Sequence, residues 1–121
     1  MLATLLCFSL DNLDEVKAEL EDVIKAAERM LANNWEFFKD AVGAYDFNRI
    51  VYLGANCLKG IAQESQLKIL ELTAGRVATM YDSPMGFRHG PKSIINDDTL
   101  TIVYLSDDPY TRQYEVDLIK E

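Results

Sequence analysis

The 121-residue sequence predicts an α/β fold in which an incomplete doubly wound parallel sheet follows an α-helical linker segment. From residue 49 onward, apolar runs rich in β-branched and aromatic residues alternate with segments of helical periodicity, as in strand–helix units. The run Ile50–Leu53 is apolar throughout, which is typical of a strand buried on both faces. Three such runs can be found and residues 1–46 contain none, so the predicted sheet is smaller than most doubly wound sheets.

The first part of the chain predicts two helices. Asp11 or Asn12 is the expected N-cap of the first helix. Its apolar residues recur at spacings of three and four: Leu13, Val16, Leu20, Val23, Ile24, Ala27, Met30 and Leu31. Two asparagines at 33–34 interrupt this pattern, and a second helix begins at Trp35 and ends between residues 43 and 46. The acidic residues between the apolar positions are expected to form a solvated face.

The second part of the chain predicts strands that alternate with helices. In order, we expect a strand at 50–53, a helix at 59–74, a strand at 77–81, a turn at 82–84, a strand at 99–106 and a helix from 109 to the end. Gly75 is the expected C-terminal stop of the first of these helices. Asp108 followed by Pro109 is a typical N-cap and first-turn pair for the last one.

Composition and charge exclude several classes of function. The net charge of −8 disfavours binding to nucleic acid or to an anionic membrane, because both are bound mainly through lysine and arginine. The apolar segment 1–10 is too short to cross a bilayer, which takes roughly 20 residues, and is predicted to be a buried helix end. Cys7 and Cys57 are far apart and lack a C-x-x-C spacing, so neither a disulfide framework nor a zinc site is expected. A cytoplasmic location fits best.

The loop after the first predicted strand is a candidate ligand site. Its sequence, Leu53-Gly54-Ala55-Asn56, lacks the G-x-G-x-x-G pattern of a dinucleotide site, so no such cofactor is predicted. Open α/β sheets nevertheless bind ligands at the carboxyl ends of their strands. A site at this loop is therefore expected without a cofactor.

Two further groups of residues suggest acid–base chemistry. Glu64, Lys68 and Glu71 are spaced i, i+4 and i+7, which places them on one helix face; the alternative is an exposed ladder of ion pairs. His89, the one histidine, follows Arg88 and precedes Gly90-Pro91, in a segment where Gly86, Gly90 and Pro91 are expected to set an unusual backbone path. An ordinary surface histidine is the alternative, but a histidine of ordinary pKa, about 6.5, suits proton transfer near neutral pH. Arg88 and Lys92 add positive charge for a phosphate or an oxyanion.

Several strings together resemble one enzyme family. They are Ile50-Val51-Tyr52-Leu53-Gly54, the segment from Ala62 to Gly75 with Glu64, Lys68 and Glu71, the segment from Tyr81 to Ile95 with Ser83-Pro84 and Phe87-Arg88-His89-Gly90-Pro91-Lys92, and Asp108-Pro109-Tyr110-Thr111-Arg112. These strings resemble the second sugar-isomerase (SIS) domain of bacterial phosphosugar isomerases. In finer detail they are similar to tagatose-6-phosphate ketose/aldose isomerases, also described as galactosamine-6-phosphate deaminases.

The resemblance implies a flavodoxin-like three-layer fold and a division of the chain. Residues 1–46 would be the helical tail and linker of a preceding SIS unit, and residues 47–121 the N-terminal part of a second SIS domain. Asn56 departs from the family's G-x-G turn, and the Ser/Thr-rich loop that cradles the phosphate belongs to the first unit, with no equivalent found in this sequence. The chain is therefore expected to be an inactive fragment alone.

The resemblance also implies roles for individual residues. Glu71 matches the base that moves a proton between C1 and C2, and Lys68 matches the lysine of the same motif. His89 matches the histidine that opens the sugar ring, which related domains deliver across a subunit interface. Glu64 is expected to orient the substrate or to be structural. Asn56, Ser83 and Arg88 are further candidate substrate-binding residues.

The implied function is that of a phosphosugar isomerase or deaminase acting on galactosamine 6-phosphate or tagatose 6-phosphate. The reaction requires no metal or organic cofactor. The expected partners are the sugar phosphate and either further copies of the chain, as a homo-oligomer, or the missing SIS unit; nucleic acid and membrane are not expected. The alternatives are a non-catalytic phosphosugar-binding module of a regulator and a remnant without function.

Overall fold

The computed structural model of the protein describes residues 7–44 and 46–121. The chain forms two compact units, Met1–Ala44 and Tyr45–Glu121.

The first unit consists of helices. A single 3₁₀ turn at Leu10–Asn12 leads into α1 (Leu13–Asn33), and α2 (Trp35–Gly43) follows after one residue. Asn12 occupies the N-cap position of α1, as predicted, but its side chain makes no capping hydrogen bond. The predicted end of α2 agrees at Gly43, whereas Tyr45 lies outside the described residues.

The prediction of a buried helix end at residues 1–10 is wrong where the structure describes it. The side chains of Phe8 and Leu10 are 87% and 72% exposed, and residues 1–6 lie outside the described part of the chain. Val16 is the one buried residue of α1. The physical reason is size, because two helices enclose too little volume to bury every apolar side chain that they carry.

The second unit is built on three parallel strands, as predicted. They are β1 (Arg49–Gly54), β2 (Ala78–Asp82) and β3 (Thr99–Tyr104), and β1 lies in the centre. In the register of the sheet, Val51 lies between Met80 of β2 and Thr101 of β3. The predicted boundaries of the strands differ from the observed ones by one or two residues.

The helices of the second unit are α3 (Leu58–Leu72), α4 (Pro84–Arg88) and α5 (Pro109–Lys120), with a 3₁₀ turn at Pro91–Ile94. The segment predicted as a turn at 82–84 is in fact the start of α4, because Ser83 Oγ accepts a hydrogen bond from the Gly86 amide at 3.1 Å and caps a helix. The predicted cap of α5 is confirmed, since Asp108 Oδ2 accepts from the Thr111 amide at 2.8 Å.

Both faces of the sheet are covered, which gives the three layers that the family resemblance implies. Alternate residues of β1 point to opposite faces. Ile50 and Tyr52 pack with Ala62 of α3 on one face. On the other face, Val51 and Leu53 pack with Phe87 of α4 and Leu118 of α5.

Gly54 at the end of β1 is required by close packing. A Cβ at this position would lie 2.4 Å from the carbonyl oxygen of Leu58 in the first turn of α3. We expect Gly54→Ala to lower the free energy of unfolding by about 1–3 kcal/mol, because the clash is with backbone and cannot be relieved by a rotamer change. Urea unfolding followed by circular dichroism measures this free energy.

Gly60→Ala is the matched control, since no described atom lies within 4 Å of its Cβ position. This substitution should stabilise α3 by up to about 1 kcal/mol. Equal effects of both substitutions would contradict this account.

Candidate functional site

The predicted ladder on α3 is formed. Lys68 Nζ lies 3.5 Å from Glu64 Oε1 and 3.1 Å from Glu71 Oε2, and all three side chains are more than half exposed. The hydrogen bond to Glu71, followed by the negative charges of Glu71 and Glu64, raises the pKa of Lys68 above its ordinary value. Lys68 is therefore a fixed positive charge between two carboxylates, and it is open to solvent.

His89 lies at the end of α4. Its backbone amide donates to the carbonyl of Gly86 at 3.3 Å, and its side chain is exposed. Two residues earlier, Phe87 is 2% exposed and fixes this turn to the core. Gly86 is required in the turn, because a Cβ there would lie 2.9 Å from Ser83 Oγ. The imidazole is thus held on a well-anchored turn and points away from the core.

Glu71 and His89 lie on elements that cover opposite faces of the sheet. Helix α3, which carries Glu71, packs on the face of Ile50 and Tyr52, whereas α4 packs on the other face through Phe87. The structure therefore does not bring the predicted base and the predicted ring-opening residue together within one chain.

Arg88 and Lys92, the cations on either side of His89, are both paired with Glu121. Arg88 Nη2 lies 2.8 Å from Glu121 Oε1, and Lys92 forms an ion pair with Glu121 Oε2. The hydrogen bond from Lys92 and the positive charge of Arg88 hold the pKa of Glu121 below its ordinary value. The two cations are thus neutralised in part, and they hold the His89 turn against the end of α5.

A cavity of about 500 Å³ lies at the carboxyl edge of the sheet. We call it the edge cavity; it is lined by Ala55, Asn56, Ser83, Pro84, Met85, Tyr110, Thr111, Tyr114 and Glu115. These residues follow the ends of β1 and β2 or belong to α5, which follows β3. Asn56, from the loop predicted to form a site at this edge, lines the cavity. Of the other two candidate substrate-binding residues, Ser83 also lines it and Arg88 does not.

Asn56 fills a position that favours glycine. Its φ is +49°, in the left-handed region, where asparagine is the side chain tolerated best after glycine. Asparagine can therefore occupy this turn at a smaller conformational cost than most other side chains.

The Ser83 side of the edge cavity is held by an ion pair. Asp82 Oδ1 accepts hydrogen bonds from Lys59 Nζ at 2.8 Å and from the Ser83 amide at 2.7 Å. Lys59 also lies 6.0 Å from the centre of the Tyr81 ring. The pair joins the start of α3 to the end of β2, and so it links the loops that follow two neighbouring strands.

We expect this ion pair to make stability depend on pH. Burial alone would raise the pKa of Asp82, but the hydrogen bonds from Lys59 and from the Ser83 amide outweigh it and hold that pKa below its ordinary value. The resulting stability is present above the unfolded pKa, about 3.9, and is lost as the pH falls through the lower folded pKa. Urea unfolding at pH 7, 5, 4 and 3 should show a smaller loss on acidification for Asp82→Asn than for the parent. An unchanged loss would show that Asp82 does not contribute to it.

Glu115 was not identified from the sequence. Its side chain is 1% exposed and lines the edge cavity; Oε2 accepts from the Ser106 amide at 2.8 Å, and Oε1 has no hydrogen-bond partner. The sequence feature that could have identified it is its position three residues before Leu118, on the buried side of α5. A carboxylate at a buried helix position is expected only where it has a partner or a function.

The described residues contain neither a metal-binding cluster nor a membrane-spanning helix. Among residues 7–44 and 46–121, no group of three or more histidine, cysteine or acidic side chains is arranged to hold a metal ion. The helices in this described part of the chain are too short or too polar to cross a bilayer.

Known proteins match this chain clearly. D-galactosamine-6-phosphate deaminase AgaS of Escherichia coli is 51% identical over 100 residues, which is 83% of this chain and 26% of that protein. The enzyme of the same description from Shewanella sp. (strain ANA-3) is 59% identical over 73 residues, 60% of this chain and 19% of that protein. No protein-family model matches the chain.

Two solved structures are similar as well. One, from Clostridium novyi NT, is assigned as a tagatose-6-phosphate ketose/aldose isomerase; it is 52% identical with a TM-score of 0.91, and the match covers 98% of this chain and 30% of that one. The tagatose-6-phosphate ketose/aldose isomerase of Escherichia coli is 51% identical with a TM-score of 0.74, over 81% of this chain and 26% of that one.

These matches agree in sequence and in fold, although the chain spans about a quarter of the length of the first curated relatives, 26%. The identity is about half over most of this chain. Over most of its length the chain is therefore similar, in sequence and in fold, to one part of the tagatose-6-phosphate ketose/aldose isomerases and galactosamine-6-phosphate deaminases.

Proposed function

We propose that these residues form the proton-transfer part of a phosphosugar isomerase or deaminase that acts on galactosamine 6-phosphate or tagatose 6-phosphate. In this proposal residues 1–46 are the helical tail and linker of a first SIS unit, and residues 47–121 are the N-terminal part of a second. The observation that carries the proposal is the solvent-open ladder on α3, in which Lys68 lies between Glu64 and Glu71. The names of the relatives supply the substrate class.

Glu71 is the proposed base. Its carboxylate is 54% exposed and its contact is with Lys68 at 3.1 Å, so a substrate can approach it without displacing core residues. A general base must come within hydrogen-bond reach of the proton that it removes. An exposed position on a helix face meets this condition when a second unit closes over the face.

Lys68 is proposed to stabilise negative charge as it develops on the substrate oxygen. Its raised pKa keeps it protonated, so it acts as a cation and not as a base. A fixed ammonium beside the base favours an enolate-like transition state over the uncharged ground state. Glu64, on the other side of Lys68, holds the ammonium in place and orients the substrate.

His89 is proposed to open the sugar ring at a site completed by another chain. It is exposed and lies at the end of α4, which covers the other face of the sheet from α3. The His89 of one chain and the Glu71 of another can therefore share a substrate in an oligomer. An oligomer, or pairing with a first SIS unit, is therefore part of the proposal.

The reaction then follows from these roles. After ring opening, Glu71 removes the C2 proton, an enolamine forms, and the same carboxyl group returns the proton to C1. With a 2-amino substrate the product is a ketimine, which adds water and releases ammonia and a ketose phosphate. A 2-hydroxy substrate undergoes isomerisation only. No step requires a metal ion or an organic cofactor.

Isotope exchange tests the proposal. An enzyme of the relatives' full length that carries these residues should exchange the C2 hydrogen of galactosamine 6-phosphate with solvent deuterium and release ammonia. Binding of the sugar phosphate without exchange would instead identify a phosphosugar-binding module of a regulator. Neither binding nor exchange, with either substrate, would contradict both functions.

We also expect His89→Asn to impair ring opening selectively. In the same full-length enzyme, turnover of the cyclic substrate should fall by about 10²-fold or more, whereas an open-chain analogue should be affected much less. Asparagine keeps a polar side chain on the turn but cannot transfer the proton. Equal losses on the two substrates would indicate that His89 is structural.

A further inference from the structure

We propose that the edge cavity is a second binding site, for a small polyhydroxylated amine whose ammonium group pairs with Glu115. The proposal does not involve Glu71, Lys68 or His89, which carry the proposed proton transfer and ring opening, and it stands independently of their roles.

The carboxylate of Glu115 is the first observation. It is 1% exposed, and one of its oxygens, Oε2, is bound by the Ser106 amide at 2.8 Å. The other oxygen, Oε1, is buried and has no hydrogen-bond partner within the described part of the chain. A buried carboxylate with an unpaired oxygen is costly, and a cationic donor is the partner that offsets this cost best.

The charge around the cavity selects the ligand. Among the described residues that line it, Glu115 is the charged one, and none is a lysine or an arginine. The nearby ammonium of Lys59 is held by Asp82. A phosphate is therefore disfavoured in this cavity, and a cation is favoured.

The walls of the cavity fit a sugar ring. Tyr110 and Tyr114 form an edge-to-face pair with ring centres 5.3 Å apart, and the Tyr114 hydroxyl donates to the Tyr110 hydroxyl at 3.3 Å. Aromatic rings of this kind accept the apolar face of a ring and attract ammonium groups. Asn56, Ser83 and Thr111 supply polar groups, and the volume of about 500 Å³ suits a small molecule.

The position of the cavity separates it from the ladder. Helix α3 begins just after the carboxyl end of β1 and ends just before the start of β2, so it runs antiparallel to the strands. Glu71 lies in its last turn, at the edge where the strands begin, whereas the cavity lies at the edge where they end. A ligand in the edge cavity cannot be the molecule that Glu71 deprotonates in the same chain.

Galactosamine without phosphate is the probe, with galactose and galactosamine 6-phosphate as comparators. Titration of the chain, followed by amide NMR shifts and by calorimetry, should show saturable binding of galactosamine in the millimolar range. Shifts should concentrate around Asn56, Ser83 and Thr111. Galactose should bind about tenfold more weakly or worse, because it lacks the charge-assisted hydrogen bond.

Variants test whether Glu115 causes the preference for galactosamine over galactose. Glu115→Gln keeps the shape and should abolish the preference for galactosamine over galactose, whereas Asp117→Asn, the same loss of charge at an exposed position on α5, should keep it. If Glu115→Gln does not fold, Tyr110→Ala alters a rim residue that is 68% exposed and should weaken galactosamine binding.

Several results would overturn the proposal. In the titrations, these are the absence of saturable binding, which would mean that water alone hydrogen-bonds to Glu115 Oε1, equal binding of galactose, and stronger binding of galactosamine 6-phosphate at this cavity. In the variants, they are a preference for galactosamine that survives Glu115→Gln and an affinity for galactosamine that Tyr110→Ala leaves unchanged.

Discussion

Glu71→Gln, in an enzyme of the relatives' full length, should lower turnover by about 10²–10⁴-fold and leave substrate affinity nearly unchanged. The amide keeps the size of the carboxylate, and its oxygen can still accept the hydrogen bond that Lys68 Nζ donates to Glu71 Oε2, over 3.1 Å, in the structure. It cannot take up the C2 proton. Loss of kcat with an unchanged dissociation constant is the pattern of an interaction made only in the transition state.

Glu64→Gln is the matched comparison, because it removes the same charge from the other end of the same ladder. Its partner Lys68 lies 3.5 Å away and keeps its contact with Glu71. We expect this variant to lose far less turnover and to act mainly on substrate affinity. Steady-state kinetics and C2 isotope exchange should be measured on both variants. Equal losses would mean that the total charge of the ladder matters and that Glu71 has no special role.

The fold could be predicted to the extent that hydrophobic pattern specifies it. The continuous apolar run at 50–53 predicts a strand buried on both faces, and β1 is so buried, at the centre of the sheet. The parallel pairing followed from the helix-patterned segments between the strands. The short helix α4 was missed, because its five residues include no repeat of apolar positions and its start at Ser83-Pro84 is also typical of a turn.

The candidate site could be predicted only in part, for a different physical reason. Spacing along one helix is visible in sequence, so the contacts of Lys68 with Glu64 and Glu71 were expected and are formed. Contacts between distant segments are not visible in this way. The pairing of Arg88 with Glu121 joins α4 to the end of α5, and the edge cavity is formed by residues that follow β1, residues that follow β2 and residues of α5. Sequence periodicity contains no information on either.

The last prediction is that the 121-residue chain alone does not turn over galactosamine 6-phosphate. Glu71, Lys68 and His89 are present, but the phosphate of the substrate has no evident anchor in the described structure. Arg88 and Lys92 are paired with Glu121, and no lysine or arginine lines the edge cavity. Binding energy from a remote phosphate is what holds the reacting carbons against the base. When that orientation is lost, effective molarities of about 10⁵–10⁸ M are lost with it.

Ammonia release and ketose phosphate formation should therefore be assayed with the chain at high concentration, first alone and then with the first unit of the Escherichia coli relative added. We expect no turnover above background in the first assay and partial recovery in the second, because the added unit supplies the phosphate site. The same mixture with Glu71→Gln in the chain should stay inactive, which attributes any recovered activity to this chain. Turnover by the chain alone, near the rate of a complete enzyme, would show that its own residues anchor the phosphate; Asn56, Ser83 and Arg88 would then be the residues to substitute first.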